Sequence, residues 1–296
     1  MIISALVHAN KRYNAYYKGG ILTEIKRLLR YPVKYVCRGL AVKFGLFGKK
    51  PVSTHTCWGG ELFILLPDKN AGSLYYFGLL PKQEYPLSLY LAKTLKSSDI
   101  FYDVGANYGF YSALAKALVR DGEIHAFEPH PLLTECLNKS FPSGVFINQA
   151  ALADKVGEIT LYDKYVNGHS GGSTILEGVG EISANRSHAL KISAISLDDY
   201  VKTRRPPTIV KIDVEGAESL VIRGGAQTLK KHKPVVIMEV WGKDLWNKYS
   251  RSAAGMLFEF GYSANEISSE GELLPVSKRD LERISLGRKY ANVVFS

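Results

Sequence analysis

Ile100-Phe-Tyr-Asp-Val-Gly-Ala-Asn-Tyr-Gly-Phe110, followed by Glu123-Ile-His-Ala-Phe-Glu-Pro129, decides the fold. A short apolar run ends in Asp103, and Gly105 and Gly109 frame a tight turn into a helical pattern. A second apolar run ends in Glu128, 25 positions past Asp103. Strand, glycine turn, helix and a second strand closed by an acid is the layout of a nucleoside-binding half of a doubly wound sheet. There the glycines admit the ligand close to the backbone, and the acid accepts hydrogen bonds from two ribose hydroxyls.

Working outward, the pattern repeats. Helices are expected over 108–119 and 131–140, and strands over 123–128 and 145–150. An extra strand follows at Ile159–Tyr162. Thr208-Ile-Val-Lys-Ile-Asp213 and Pro234-Val-Val-Ile-Met-Glu-Val240 read as two further buried strands, with a helix from about 216 to Lys231 between them. A helix is expected near 250–260 and a last strand over Lys289–Phe295. Upstream, Trp58–Leu66 and Ser73–Phe77 read as β segments and 86–96 as a helix. Strands alternating with helices give a largely parallel sheet covered on both faces, with ligands beyond the strand carboxyl ends. Asp103, Glu128, Asp213 and Glu239 all fall at such ends. Four acids at one rim are poorly explained by packing, so they mark a site.

The ligand is constrained by what the turn lacks. In Asp103-Val-Gly-Ala-Asn-Tyr-Gly109, Asn107 stands where the dinucleotide pattern has its second glycine. That disfavours close approach of a pyrophosphate. An acid at Asp103 repels phosphate and suits an ammonium group. S-adenosylmethionine has a ribose, an amino-acid end and no phosphate, so it is favoured over a nicotinamide dinucleotide. A nicotinamide-dependent sugar oxidoreductase is the rival, but no Tyr here has Lys four positions on.

At 296 residues and 46% apolar content the chain suffices for one large domain with a sizeable core. Three cysteines without a Cys-x-x-Cys pair argue against a disulfide framework and for a reducing, cytoplasmic setting. No apolar run is long enough to span a membrane, and no basic residue precedes the apolar start, so a cleaved signal peptide is not expected. Residues 1–50 hold 11 of the 38 Lys and Arg but one of the 28 acids, Glu24, so the other 246 residues balance at 27 of each. The net charge of +10 is therefore local, and no nucleic-acid partner is expected. Within this arm Ile21, Leu22, Ile25, Leu28 and Leu29 share one helical face opposite Lys26, Arg27 and Arg30. Such a segment can lie on an anionic membrane or grip an acidic polymer, or pack on the body or a dimer partner with its basic face solvated. Division falls at 1–50, the extension, and 51–296, the main domain.

Residues 163–190 are polar and rich in Gly and Ser, which makes a functional loop the expectation, with His169 and His188 as candidates for touching substrate. His125 is expected to be a satisfied core residue, and His130, after Pro129, to help begin a helix.

Asp103-Val-Gly-Ala-Asn-Tyr-Gly109, Phe127-Glu-Pro-His-Pro131, Val210-Lys-Ile-Asp-Val-Glu-Gly-Ala-Glu218 and Lys233-Pro-Val-Val-Ile-Met-Glu-Val240 together resemble the FkbM family of S-adenosylmethionine-dependent methyltransferases, over roughly 97–260. The resemblance implies the class I methyltransferase sheet, a Rossmann-like doubly wound α/β fold of seven strands with the last antiparallel. It implies O-methylation, commonly of a sugar hydroxyl in a glycan, glycolipid or natural product. Asp103, Gly105, Asn107 and Gly109 would contact the methionine end, Glu128 the ribose, and Ala150-Ala151 the adenine. A sugar hydroxyl needs a base or a metal to lose its proton. Asp213, Glu215 and Glu239 are the candidates, and Asp213 with Glu239 is also a candidate site for a divalent cation. Glu215 could instead cap the following helix, and Lys211 could hold Asp213 ionised, contact substrate or snorkel to a rim. A non-sugar acceptor and a non-catalytic, membrane-associated adaptor are the alternatives. Localisation is expected to be cytoplasmic, peripheral at the inner membrane face if the arm docks there. Oligomeric state is not written in the sequence.

Overall fold

A computed structural model of the chain describes residues 1–16, 20–45, 48–163, 173–176, 189–242, 249–287 and 290–296. Three helices come first: α1 (Ile2–Tyr16), α2 (Ile21–Arg30) and α3 (Pro32–Phe44). A hairpin, β1 (Pro51–His55) and β2 (Glu61–Leu65), precedes α4 (Gly72–Phe77) and α5 (Tyr85–Thr94). The alternating part begins with β3 (Ile100–Val104), α6 (Phe110–Leu118), β4 (Glu123–Phe127), α7 (Pro131–Ser140) and β5 (Phe146–Asn148). Next come β6 (Ala151–Leu152), β7 (Gly157–Tyr162), β8 (Ala189–Ile195) and the single turn α8 (Leu197–Tyr200). The remainder is β9 (Ile209–Ile212), α9 (Glu218–Gly224), α10 (Ala226–His232), β10 (Val235–Trp241), α11 (Arg251–Glu259), β11 (Ala264–Ile267), β12 (Leu273–Val276), α12 (Lys278–Gly287) and β13 (Tyr290–Phe295).

The main sheet runs β5-β4-β3-β9-β10-β13-β11-β12. From β5 to β10 neighbours are parallel, and β13 enters antiparallel between β10 and β11. Seven strands, β5 through β11, form the expected sheet. β12 adds an eighth through a hairpin with β11. Neither β11 nor β12 was legible in the sequence, because β11 has Asn265-Glu266 at its centre and β12 carries Pro275, which fits only an edge. β3 and β9 are buried along their whole length, as central parallel strands covered on both faces must be. β6, β7 and β8 form a separate small sheet beside the carboxyl rim.

One expectation fails outright: Ser73–Phe77 is not a strand but most of α4. Every residue of α4 is buried, so no alternation existed to distinguish the two. Gly78 at φ 64° closes the helix, its N–H donating to the Leu74 carbonyl. The helix expected over 216–231 is likewise two, α9 and α10, meeting at Gly225.

The basic extension is helical for most of its length. α1 is tied to the body: Leu6, Ala9 and Tyr13 are buried in the same core as α4 and α5, and Tyr13 meets Phe77 edge-on with ring centroids 5.8 Å apart. α2, by contrast, buries no side chain.

Candidate active site

Two cavities open at the carboxyl rim of the sheet and share one wall. The first, of about 680 Å³, lies over the β3–α6 turn and the end of β4. Glu128, the acid closing β4, sits in its wall and is 6% exposed. Its Oε2 accepts from Asn107 N at 2.9 Å and its Oε1 from His130 N at 3.0 Å. Burial pushes its carboxyl pKa up, while the two amide donors and the nearby His130 and Lys211 pull it back. His130 in turn caps α7, its Nδ1 accepting from Leu132 N at 3.2 Å. The carboxylate is thus aimed by backbone on both sides and keeps acceptor capacity toward the cavity. Phe127, Leu133, Leu152 and Leu161 supply apolar surface, and Ala151 lines the same cavity.

Gly105 and Asn107 line both cavities. Gly105 has φ 75°, and a Cβ there would stand 1.8 Å from the Asp213 carbonyl oxygen, so the β3 and β9 ends touch only because it has no side chain. Asn107 holds φ 52°, a conformation that Asn tolerates better than most residues. Asp103 and Gly109 line neither cavity. Gly109 begins α6 against Leu137 and Phe141. Asp103 is fully buried beneath the turn, its Oδ2 accepting from Ser112 Oγ at 2.7 Å. An ammonium does lie beside it, but it belongs to Lys211.

Lys211 is the organising charge. Its Nζ stands 3.4 Å from Asp103 Oδ1 and 3.4 Å from Asp213 Oδ2, and donates to the Gly105 carbonyl at 3.2 Å. Burial opposes its charge, but Asp213, Asp103 and Glu84 outweigh that and hold its pKa above the ordinary lysine value. It does not snorkel out. It neutralises the rim from beneath.

The second cavity, of about 1510 Å³, is walled by Glu84, Tyr111, Asp213, Glu215, Glu239 and Tyr290 among others. Glu239 is raised well above the ordinary glutamate value, first by burial and then by Asp213, Glu215 and Glu84. Glu84 is raised by burial and by Asp213, and its Oε2 accepts from Tyr111 Oη at 2.8 Å and from Asn292 Nδ2 at 3.2 Å. Asp213 and Glu215 belong to both cavities, whereas Glu239 faces only the second. Glu215, at φ 54°, precedes α9, whose N-cap position is Ala217. Glu218, the first residue of α9, ties down the preceding turn, its Oε1 accepting from Gly216 N at 3.2 Å, and burial pushes its carboxyl up to about 7.

A shared cation at Asp213 and Glu239 does not fit. Lys211 already supplies the positive charge beside Asp213, and among the described residues no three His, Cys, Asp or Glu side chains gather as a metal site. His125 is a core residue, its ring nitrogens partnered by Tyr200 Oη at 2.8 Å and Glu123 Oε2 at 3.0 Å. His169 and His188 lie outside the described residues, as does most of 163–190, although Ser173, Thr174 and Ile175 line the first cavity. Sequence reasoning missed Glu84, Tyr111 and Tyr290. No local pattern sets them apart, and they reach the rim from helices and a strand far apart in the chain.

The fold and rim define a class I methyltransferase architecture. The sequence matches the Methyltransferase FkbM domain over residues 103–263, and the chain belongs to that family. It is 26% identical over 153 residues to the hexuronic acid methyltransferase AglP of Haloferax volcanii, a match covering 50% of this chain and 58% of that protein. Among solved structures it is similar to the methyltransferase FkbM of Methylobacillus flagellatus KT (14% identity, 77% of this chain and 55% of that one, TM-score 0.46). It is also similar to fibrillarin of Aeropyrum pernix, solved with S-adenosyl-L-methionine (10% identity, 71% and 73%, TM-score 0.40). The chain thus spans little more than half the length of the first two relatives.

Proposed function

We propose that the protein is an S-adenosylmethionine-dependent O-methyltransferase acting on a sugar hydroxyl, with an acidic sugar such as a hexuronic acid as one candidate. The observation that carries this is the shared wall. A cavity with an aimed ribose-type carboxylate adjoins, along Gly105, Asn107, Asp213 and Glu215, a larger cavity lined by acids and tyrosines. The named substrate of AglP supports the sugar assignment.

When bound, S-adenosylmethionine supplies an electrophilic methyl group and a neutral sulfide leaving group. Glu128 would hold its ribose and the apolar wall its adenine, while Asn107 and Gly105 leave room at the junction. Glu239 is the proton acceptor. It faces only the acceptor side, and burial among other carboxylates raises its proton affinity. As the acceptor oxygen takes the methyl group, its proton would pass to Glu239. Asp213, paired with Lys211, orients the hydroxyl. Glu84 and Tyr111 bind further sugar hydroxyls.

Calorimetry with S-adenosylmethionine and with NADH, followed by transfer of isotopically labelled methyl to a panel of hexoses, hexuronic acids and lipid-linked glycans, tests this. Binding of S-adenosylmethionine and label in an ether product are expected. Binding of NADH instead, or of neither, rejects the reading in favour of an oxidoreductase or an adaptor.

A further inference from the structure

The N-terminal helices present a surface that the methyltransferase body does not use. Of the 15 large apolar side chains exposed among the described residues, 12 lie between Met1 and Phe44. Ile21, Leu22 and Leu29 of α2 are 75–80% exposed, and Val33, Val36 and Phe44 of α3 at least 50%. The same helices and their flanks expose Lys26, Arg30, Lys43, Lys49 and Lys50. Their one acid, Glu24, is spent on Arg27 at 2.7 Å. Apolar residues and uncompensated cations therefore share one surface. A polyanion such as nucleic acid would use the charges and leave the apolar side chains in water. A protein patch would use the apolar side chains and need acids to match. An anionic lipid leaflet uses both.

This surface is not a loose tail. Arg38 of α3 donates from Nη1 to the Leu66 carbonyl at 3.1 Å and from Nη2 to the Asp68 and Lys69 carbonyls at 2.9 and 3.1 Å. Lys34 Nζ donates to the Tyr75 carbonyl at 2.7 Å, and the Arg27 guanidinium lies 5.4 Å from the Tyr76 ring centre. Asp68 in turn accepts from Tyr108 Oη at 2.6 Å. Asn70, Ala71, Leu74 and Tyr108 line the acceptor cavity. The side chains of α2 and α3 that face inward thus grip the segment forming one wall of that cavity.

We propose that α2 and α3 form a docking surface for an anionic membrane, held rigidly against the acceptor-cavity wall. Each exposed Lys or Arg near such a leaflet contributes about fivefold to partitioning, and salt removes that contribution.

The test is co-sedimentation of the full chain with vesicles of phosphatidylglycerol and phosphatidylcholine, against vesicles of phosphatidylcholine alone. Binding to the anionic vesicles at low salt is expected, reduced more than about tenfold by Lys26→Ala with Arg30→Ala. A comparable loss is expected from Leu29→Asp with Val33→Asp, with the thermal midpoint unchanged because all four side chains are exposed. No binding at low salt, equal binding to both vesicle types, or variants that bind as the parent does would each overturn the proposal. So would a dimer in sedimentation velocity that Leu29→Asp dissociates without any vesicle binding, since a second copy would then be the occupant. Salt-sensitive binding to duplex DNA in place of vesicles would also overturn it. S-adenosylmethionine affinity is measured in parallel, so failure of docking stays distinct from failure of the methyltransferase reading.

Discussion

The two cavities at the rim are adjacent, yet they are built on different principles. The first takes its polar anchor from local chain, although Leu161, Thr174, Asp213 and Glu215 complete its wall. Gly105, Asn107 and Glu128 come from one strand–turn–helix–strand unit, and the carboxylate is aimed by the amides of Asn107 and His130, at most 21 residues away. The second is a product of assembly. Glu84, Tyr111, Lys211, Glu239 and Tyr290 meet from five elements, and the Glu84–Asn292 hydrogen bond spans 208 residues. The difference teaches that the carboxylate anchor of the first cavity comes with the sheet, whereas the second cavity depends on what is packed onto it.

The comparison makes its sharpest demand at Glu239. Glu239→Gln removes a carboxylate from the second cavity only, so turnover should fall by about 10²–10⁴-fold while S-adenosylmethionine affinity changes by less than about threefold. In the parent enzyme the rate should rise with pH through an apparent value above the ordinary glutamate range, since the raised carboxyl must lose its proton to act. A pH-independent rate, or a variant as fast as the parent, would break the assignment.

Next in size is the wall the cavities share, which Glu218 braces from behind. Its folded-state pKa of about 7 exceeds the ordinary 4.5, so the folded protein binds the proton more tightly than the unfolded chain. Stability should therefore be greatest below about pH 4.5 with respect to this group and decline as pH rises toward about 7, by as much as about 3 kcal/mol. Glu218→Gln should flatten that decline, which urea titrations at pH 5 and pH 8 would measure.

Glu128→Ala tests the first cavity alone. Two charge-assisted hydrogen bonds to a ribose should be lost, weakening S-adenosylmethionine about tenfold or more by calorimetry. Turnover at saturating cofactor should stay close to the parent value. Equal losses in binding and turnover would mean that the cavities are not separable.

The smallest effect is expected at Tyr111. Tyr111→Phe removes the phenol that donates to Glu84 Oε2 at 2.8 Å and leaves that acid with fewer partners. The acceptor KM should rise severalfold, in line with about 1 kcal/mol for one hydrogen bond, with cofactor affinity unmoved. Steady-state kinetics at fixed cofactor would show it.

Legibility followed the same line. β3, β4, β9 and β10 were visible because central parallel strands are mostly apolar runs, and the acids at their carboxyl ends stand out against them. Lys211 was conspicuous for the same reason, and holding Asp213, two residues on, was one of its expected roles; its contact with Asp103 was hidden, since those two meet only when β3 and β9 pair. Asp103 was expected at the ligand. Register places its side chain beneath the turn instead, facing Lys211. α4 was read as a strand because complete burial erases periodicity, and β12 was hidden by its proline.

By itself, then, the sequence determined the family, the sheet, the rim of acids and the asymmetric charge of the first 50 residues. Those depend on residue type and short-range spacing. Only the tertiary structure decided which acids face a cavity, which of them Lys211 neutralises, and that Glu84 and Tyr111 line the second cavity. It also decided that α1 is anchored in the core while the apolar faces of α2 and α3 remain in solvent. Side-chain direction and long-range contact set these outcomes, and neither is encoded in any short window of the chain.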